Sequence, residues 1–299
     1  MSYGIFSTDI KELKVLFKGK VRDIYEVSEG EWLIVTTDRI SAFDVVFNRP
    51  IPQKGIILNR ISNLWFDAIN FIPNHLISKN PVEKLAFLKN YPEISERAVL
   101  VKRVKRLPVE CVVRGYLFGS AYSEYKKNKT AGGIKLPDGL KLAEKLPQPI
   151  FTPSTKAEVG HDENINYEKF KEIVGSKIAD KIRYYSIEIY KFASEKMEKA
   201  GIILADTKFE FGIDENGKII LVDEVLTPDS SRYWEKESYK VGESPVSYDK
   251  QFVRDYLDSI GWNRTPPPPE LPDDVIKKTA EKYKEILNRV EEVLIFSKN

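Results

Sequence analysis

Short apolar runs separated by turn residues occupy residues 13–46 of the chain. The runs LKVLF, VRDIYEV and WLIVTT are divided by Gly19-Lys20 and by a Ser-Glu-Gly turn, a pattern typical of antiparallel strands. The polar stretch 38–52 is punctuated by proline and predicts a loop that leads into a helix near residues 58–70. The amino-terminal region is therefore predicted to be an antiparallel meander followed by a helix.

Two more apolar runs near the middle of the chain also have strand character. Residues 98–106 (AVLVKRVKR) and 109–115 (VECVVRG) predict a strand pair joined at Leu107-Pro108. The basic residues of the first run, Lys102 among them, are most simply explained by a half-exposed strand. Residues 126–155 are rich in Lys, Gly and Pro with weak periodicity, so they predict a long irregular excursion.

Helical spacing of apolar residues marks much of the second half. It runs through residues 167–201, where Gly175 divides a short helix from a long one. A polar stretch and a helix over residues 250–259 precede Pro266–Pro269, a stiff extended linker. A last amphipathic helix, with an N-cap near Asp273, is expected to pack back on the body.

Between these helices, the sequence ADTKFEFGIDENGKIILVDEVLTPD predicts a β-hairpin with charges on one face. Asn216-Gly217 favours a two-residue type I′ turn, and that register places Glu210 directly opposite Asp223. Facing positions hold Cβ atoms about 5 Å apart, and two carboxylates so close repel each other unless a cation lies between them. Carboxylate oxygens without His or Cys suit Mg²⁺.

The ordinary alternative for this hairpin is a solvent-facing strand with scattered charges. Asp223 argues against it, because this residue closes the run Ile219–Val222, which is apolar enough to be buried on both faces. Asp206 and Lys208 continue the face of Glu210, so the hairpin is interpreted as the polar wall of a site.

Composition narrows the classes of function. The 299 residues include 47 basic and 45 acidic side chains, a net charge of +2, so the chain has no global field that would favour nucleic acid or an anionic membrane. No run approaches the roughly 20 apolar residues that span a bilayer. The single Cys111 lies in a strand-like run and is expected to be a small buried hydrophobe. These features predict a cytoplasmic protein.

Two glycine-containing segments are candidates for phosphate binding. Gly19, with Lys20 and Arg22 beside it, lies between two strands, where backbone amides and cations could meet a nucleotide's phosphates; a basic hairpin turn is the alternative. Arg114 precedes a segment with two glycines and Ser120, which could cap the next helix and form a phosphate-monoester cradle. The alternative here is a plain N-cap beside a surface Arg.

Two polar segments complete the candidate chemistry. TPSTK, which ends at Lys156, is followed by His161-Asp162, although Asp162 could simply start the next helix. PDSSR places Arg232 after the hairpin, at its metal end. A glycine-lysine turn, paired carboxylates and a separate phosphate cradle together indicate a nucleoside triphosphate and a phosphorylated second substrate.

The motifs resemble a known family. In order along nearly the whole chain they are GKVRDIYEV, TDRISAFD, IPQKGIILNRIS, VECVVRGYLFGSAYSEY, FTPSTKAEVGHDENI, ADTKFEFG and LVDEVLTPDSSRYW, and they are similar to those of phosphoribosylaminoimidazole-succinocarboxamide (SAICAR) synthetases, in the longer, yeast-like form. The resemblance implies a ligase of purine biosynthesis that joins L-aspartate to carboxyaminoimidazole ribonucleotide through an acyl phosphate, at the expense of ATP.

The resemblance also implies a role for each matching residue. ATP would meet Gly19, Lys20, Arg22 and Lys102; Mg²⁺ would be held by Glu210 and Asp223; the ribonucleotide and aspartate would meet Ser41, Asp44, Arg114, Ser120, Lys156, His161 and Asp162; and Asp206, Lys208 and Arg232 would serve the reaction directly.

The implied fold is α+β or α/β, related to ATP-grasp and kinase-like architectures. It divides into a β-rich domain (1–106) that covers the nucleotide, a larger domain (107–265) that binds substrate and metal, and a linker with a packing helix (266–299). By analogy the protein is expected to be a monomer with small-molecule partners. A small-molecule kinase on a related fold and a noncatalytic nucleotide sensor are the alternatives.

Overall fold

The computed structural model describes residues 4–156 and 163–296, which form a mixed α/β structure. The strands are β1 (Lys14–Lys18), β2 (Arg22–Ser28), β3 (Glu31–Thr36), β4 (Ser41–Ala42), β5 (Val45–Val46), β6 (Leu76–Ser78), β7 (Ala98–Lys102), β8 (Lys105–Arg106), β9 (Val109–Tyr116), β10 (Thr130–Ala131), β11 (Ile134–Lys135), β12 (Lys145–Phe151), β13 (Ser154–Thr155), β14 (Ile202–Ile213), β15 (Ile219–Val222) and β16 (Ser231–Glu235). The helices are α1 (Lys54–Ala68), α2 (Gly119–Asn128), α3 (Tyr167–Val174), α4 (Ser176–Lys199), α5 (Gln251–Ser259) and α6 (Asp273–Leu294), with short 3₁₀ turns at Pro81–Glu83 and Ala86–Asn90.

The amino-terminal sheet has five strands in the order β1-β2-β3-β7-β6, all antiparallel to their neighbours. The predicted meander is therefore confirmed. The predicted pairing of residues 98–106 with 109–115 is wrong, because β7 lies between β3 and β6, whereas β9 belongs to the second sheet. The first four residues of β7 are all buried, as a strand with neighbours on both sides requires, and this favours a central position over a hairpin edge.

The second sheet is built around β14, which pairs along both edges. Along one edge it meets β16 and then β15; along the other it meets β9 and then β8. β12 and β13 pair with the far side of β9. Two predictions need correction. Residues 126–155 include β10 to β13 rather than one irregular excursion, and the polar stretch after the hairpin contains β16.

Helices cover the second sheet and enclose the main core. The predicted division at Gly175 is confirmed, and α4 packs on β14 and β9. The carboxy-terminal helix, α6, packs on α1, α4 and α5, as expected, although its N-cap residue is Pro272 and no side chain caps it. Cys111 is fully buried in this core, and burial raises the pKa of its thiol, in agreement with the structural role expected for it.

The hairpin of β14 and β15 has a different register from the predicted one. Glu210 lies opposite Val222, not Asp223, because the loop has three residues rather than two. The amide of Gly217, which has φ +74°, donates to the carbonyl of Asp214, and the Asp214 carboxylate accepts from the amides of Asn216 and Lys218. This is a type I turn followed by a left-handed glycine.

A close approach at Gly115 gives a stability prediction. A Cβ at this position would lie 1.8 Å from the hydroxyl oxygen of Tyr190, which donates a hydrogen bond to the carbonyl of Leu204. We expect Gly115→Ala to lower the free energy of unfolding by about 2–3 kcal/mol through overpacking. Urea denaturation measures the loss. Gly30→Ala is the control, because a Cβ there meets nothing within 4 Å, and equal stability of the two variants would contradict the packing argument.

Candidate functional site

Strand β14 carries the centre of the site. Asp206, Lys208 and Glu210 alternate along it, and alternate residues of a strand lie on one face. Charged side chains are tolerated there because each meets groups of opposite charge on neighbouring strands. The face divides into two groups of charges, one at Asp206 and one at Glu210.

At the first group, Asp206 lies between two arginines. It is opposite Arg114 of β9 on one side and Arg232 of β16 on the other. Arg114 Nη1 donates to Asp206 Oδ2 at 3.2 Å, and Arg232 Nη1 donates to the same oxygen at 2.5 Å. Two guanidinium groups against one carboxylate leave an excess positive charge, which favours an anionic ligand.

Arg114 is further fixed by two hydroxyl groups. Its Nε donates to Thr152 Oγ1 at 2.9 Å and its Nη2 to Ser120 Oγ at 3.2 Å. Burial lowers the pKa of Arg114 more than Asp206 raises it. The predicted capping role of Ser120 is wrong, because Phe118 is the N-cap residue of α2 and no side chain caps this helix. Ser120 instead lies in the first turn, where its hydroxyl meets Arg114.

The Nε atom of Arg232 is a further feature of the first group. It is buried and has no hydrogen-bond partner in the described part of the chain. Asp206 raises the pKa of Arg232, so the group is charged. A Cβ at Gly119, which has φ +58°, would lie 3.0 Å from Arg232 Nη2, so glycine leaves room for the guanidinium. A buried, unpaired donor is costly without a ligand, and this one belongs to the arginine pair that favours an anion.

The second group surrounds Glu210, which is only 3% exposed. Lys156 Nζ makes an ion pair with Glu210 Oε1, and Arg106 Nη1 lies 3.3 Å from Oε2. Burial would raise the pKa of this carboxyl, but Lys156 and Lys208 hold it below its ordinary value. Lys208 Nζ lies 2.5 Å from Glu110 Oε1 and 4.0 Å from Glu210 Oε1. Glu210 is therefore an ionised, buried carboxylate.

Asp223 lies next to this group but has other partners. It follows the last residue of β15 with φ +65°, and its carboxylate meets Arg22 Nη1 at 2.7 Å, while Glu224 meets Arg22 Nη2 at 2.5 Å. Burial would lower the pKa of Arg22, but these two carboxylates raise it. Asp223 also raises the pKa of Lys208, so its charge and that of Glu210 act on one ammonium group.

The donor chemistry of this region fits Mg²⁺. Glu210 and Asp223 offer hard carboxylate oxygens, and Mg²⁺ in nucleotide sites is held by one or two carboxylates with water and phosphate oxygens. Within residues 4–156 and 163–296, no three His, Cys, Asp or Glu side chains are grouped so that they could hold a metal ion. The two carboxylates alone leave coordination positions for phosphate and water.

The remaining predicted residues fall into three places. Lys20, in the turn between β1 and β2, makes an ion pair with Asp44, and Ser41 is buried in the same short hairpin as Asp44. Lys102 ends β7 with an exposed side chain. His161 and Asp162 lie outside the described residues, and α3 takes Asn166 as its N-cap.

A small cavity lies between the amino-terminal sheet, α1 and the residues that follow β15. Ile34, Leu76 and Val99 form part of its apolar wall, and Arg22, Asp223 and Glu224 line its charged side. Its volume is about 20 Å³, room for about one water molecule, so the cavity marks where apolar and charged side chains meet and is not a nucleotide-sized pocket.

Several residues of the region were not predicted. Glu110 and Thr152 lie in quoted motifs. Glu110 alternates with Arg114 along β9, which could have indicated it, whereas Thr152 follows β12 and has no such signal. A buried ion network was missed altogether: Asp229 accepts from Lys54 Nζ at 2.8 Å and from the Tyr283 hydroxyl at 2.5 Å, and Lys250 Nζ lies 3.2 Å away. Its members are far apart in sequence, so no local pattern reveals it.

Comparison with known proteins decides the family. A family model described as SAICAR synthetase matches residues 15–269. The chain belongs to the SAICAR synthetase family. A phosphoribosylaminoimidazole-succinocarboxamide synthase of Thermodesulfovibrio yellowstonii is 55% identical over 288 residues, which cover 96% of this chain and 98% of the relative.

Solved SAICAR synthetase structures are similar over nearly the whole chain. The Saccharomyces cerevisiae enzyme complexed with SAICAR is 44% identical with a TM-score of 0.87, covering 97% of this chain and 98% of that one. A type-2 SAICAR synthetase in complex with ADP is 25% identical with a TM-score of 0.67, covering 93% and 97%. The higher score with the yeast structure confirms the predicted yeast-like form and fold class. Among the described residues, no helix is long and apolar enough to cross a membrane.

Proposed function

We propose that this protein is an ATP-dependent carbon–nitrogen ligase that joins L-aspartate to carboxyaminoimidazole ribonucleotide and releases SAICAR, ADP and phosphate. The observation that carries the proposal is the near full-length match to named SAICAR synthases. This reaction needs a site for the phosphate of the ribonucleotide and a carboxylate for the metal of the nucleotide. The arginine pair at Asp206 and the buried carboxylate of Glu210 would supply these on one strand face.

The reaction divides into two transfers. An oxygen of the ribonucleotide carboxylate attacks the γ-phosphorus of ATP, the bond to ADP breaks, and an acyl phosphate forms. The aspartate amine then attacks the acyl carbon, phosphate leaves with the former carboxylate oxygen, and the amine loses a proton. No protein nucleophile is required, so positioning and charge neutralisation are the protein's contribution.

The ribonucleotide's 5′-phosphate is assigned to the excess positive charge at Asp206. Arg114 and Ser120 would bind it, and the unpaired Nε of Arg232 is the donor best placed to respond to an added anion. Lys208, Asp206, Asp44 and Ser41 would face the imidazole and ribose of the ribonucleotide. Lys156, with His161 and Asp162, is assigned to aspartate or the transferring phosphoryl group.

The nucleotide is assigned to the side of the amino-terminal sheet that carries Arg22. Lys20 and Arg22 would meet its phosphates, with Gly19 allowing close approach and Lys102 near the base. Glu210 and Asp223 would hold Mg²⁺, which when bound neutralises phosphate charge. A monomeric state and a cytoplasmic location remain predictions.

The test is the substrate dependence of ADP release. We expect one ADP for each SAICAR, and ADP release only when aspartate and the carboxylated ribonucleotide are both present. ATP turnover without aspartate that yields a stable phosphorylated product would indicate a kinase. Nucleotide binding without turnover under any combination of substrates would indicate a sensor.

Arg114 gives a prediction for the phosphate site. We expect Arg114→Ala to raise the KM for the ribonucleotide about 30–100-fold, because a charged hydrogen bond to phosphate is lost, with little change in the KM for ATP. Asp206 keeps Arg232 as its partner, which limits the effect on folding. Steady-state kinetics with each substrate varied in turn gives the two constants. An unchanged KM for the ribonucleotide would refute the assignment.

A further inference from the structure

The turn between β4 and β5 has an unfavourable backbone conformation. Ser41 pairs with Val46 and Ala42 with Val45, so Phe43 and Asp44 are the two central residues of a two-residue hairpin. Their φ angles are +52° and +65°, as a type I′ turn requires. Asn and Gly favour this conformation, whereas a bulky aromatic residue strongly disfavours it. A strained conformation persists only when its surroundings hold it, and such strain is concentrated at functional sites.

The carboxy-terminal part of the chain supplies the group that covers this turn. The guanidinium carbon of Arg264 lies 4.0 Å from the centre of the Phe43 ring. Arg264 Nη2 donates to Asp258 Oδ1 at 3.0 Å, which fixes the guanidinium from its other side. Nearby, the Trp262 ring packs edge-on against Phe47, with centroids 5.5 Å apart. The guanidinium of Arg264 therefore packs against the ring of Phe43, the first residue of the strained turn.

The same hairpin is anchored to the carboxy-terminal helices by a separate hydrophobic cluster. Phe47 and Ala42 pack there with residues of α5 and α6, while Phe43 and Trp262 lie at the edge of the cluster. The base of the hairpin is thus held by apolar packing, and its tip by the contact with Arg264. The contact with Arg264 can be removed without removing the packing.

The strained turn sets the position of Asp44. Its carboxylate makes an ion pair with Lys20 of the β1–β2 turn, and both side chains are about half exposed. If Phe43 left the left-handed region, the backbone at Asp44 would rotate and this carboxylate would move. This ion pair therefore joins Asp44, which is assigned to the ribonucleotide, with Lys20, which is assigned to the ATP phosphates.

We propose that Arg264 is a positioning residue of the ligase reaction: by stacking on Phe43 it keeps the β4–β5 turn in its left-handed conformation and so holds Asp44 in place for the ribonucleotide. The inference rests on the proposed function, and it assigns the carboxy-terminal segment a part in substrate binding. Arg264 itself contacts no reacting group in this account. Its effect passes through the conformation of residues 43 and 44.

The test is a double-mutant cycle. We expect Arg264→Ala to lower kcat/KM for the ribonucleotide about tenfold, mainly through KM, since strain of this kind is worth about that factor. Arg264→Lys keeps the charge but loses the planar stacking surface, so it should recover only part of the activity. In a Phe43→Asn background, where residue 43 favours the left-handed region, the loss caused by Arg264→Ala should shrink to about twofold or less.

Controls separate this role from a purely structural one. Arg183→Ala removes another arginine stacked on an aromatic ring, at 4.9 Å from Tyr167 on the helices behind the sheet, and should leave both kinetic constants unchanged. The midpoint of thermal unfolding should not move with Arg264→Ala, because this side chain is 53% exposed.

Three results would overturn the inference. One is a normal KM for the ribonucleotide in Arg264→Ala, and another is an equal loss in both backgrounds, which would mean that Arg264 acts without Phe43. The third is a loss explained by reduced stability. Absence of SAICAR formation by the unsubstituted protein would instead refute the ligase function, and with it the substrate on which the inference depends.

Discussion

Replacing Glu210 by Gln is expected to reduce Mg²⁺-dependent SAICAR formation about 10³-fold or more, because one of the two carboxylates that would hold the metal is lost. Losing the ion that would neutralise the transferring phosphate costs about 3–4 kcal/mol or more in the transition state. The measurement is kcat at saturating ATP over a range of Mg²⁺ concentrations. If activity recovers fully at high Mg²⁺, the role of Glu210 is limited to the affinity for the metal.

The fold should tolerate the same substitution. The cations around Glu210 are partly solvated, with side-chain exposures of 25% for Lys156, 33% for Lys208 and 55% for Arg106, so none is left as an isolated buried charge. We therefore expect a loss of unfolding free energy of only about 1–2 kcal/mol. Glu291→Gln removes an ion pair with Arg60 on the helical side and should affect neither property. A large loss of stability in Glu210→Gln would indicate a structural role for Glu210.

Replacing Asp229 by Asn is expected to give the largest loss of stability, about 3–5 kcal/mol. The Lys54 side chain is fully buried and Lys250 is 10% exposed, and Asp229 is the carboxylate with which both make an ion pair. Without it, two ammonium groups remain near each other in a poorly hydrated place. Tyr283→Phe removes only one hydrogen bond to the same carboxylate, so about 1.5–3 kcal/mol is expected there. Urea denaturation at pH 7 gives both values.

The deficit of Asp229→Asn should also depend on pH. Burial already lowers the pKa of Lys54 to about 8, despite the opposing effect of Asp229, and removing the carboxylate lowers it further. Between that lower pKa and about 8, the folded variant binds fewer protons than the folded unsubstituted protein, so its stability rises with pH relative to that protein. Above about pH 8 Lys54 loses its proton in both proteins, and their stabilities change together. We expect the deficit to narrow as the pH rises to about 8 and to stay constant above it. A deficit independent of pH would argue against buried charge as its cause.

Local patterns predicted the elements and the residue types of the site, and tertiary contacts decided the rest. The break at Gly175 and the alternation of Asp206, Lys208 and Glu210 depend on periods within one segment, so they were readable from the sequence. The partner of residues 98–102 was not, because an apolar run does not say which strands flank it. The Asp229 network depends on contacts between residues that are distant in the chain.

The hairpin shows how a single side chain changes a register. Asn216-Gly217 favours a two-residue turn, but the Asp214 carboxylate binds two amides of the loop and stabilises a three-residue turn with Gly217 in the left-handed region. Shifting the register by one residue moves Asp223 out of the position opposite Glu210. The proposal of a shared metal therefore no longer depends on direct pairing of the two carboxylates. It depends on donor chemistry and on the position of Asp223 one residue after Val222, which lies opposite Glu210.

The most direct test of the central claim follows the carboxylate oxygens of the ribonucleotide. Both oxygens of that carboxylate are labelled with ¹⁸O, and the ribonucleotide is incubated with ATP and aspartate. An acyl-phosphate ligase then transfers one labelled oxygen to the released phosphate and keeps the other in the amide of SAICAR. Mass spectrometry of the two products measures the distribution. We expect one ¹⁸O atom in each phosphate; unlabelled phosphate accompanying SAICAR formation would contradict the account.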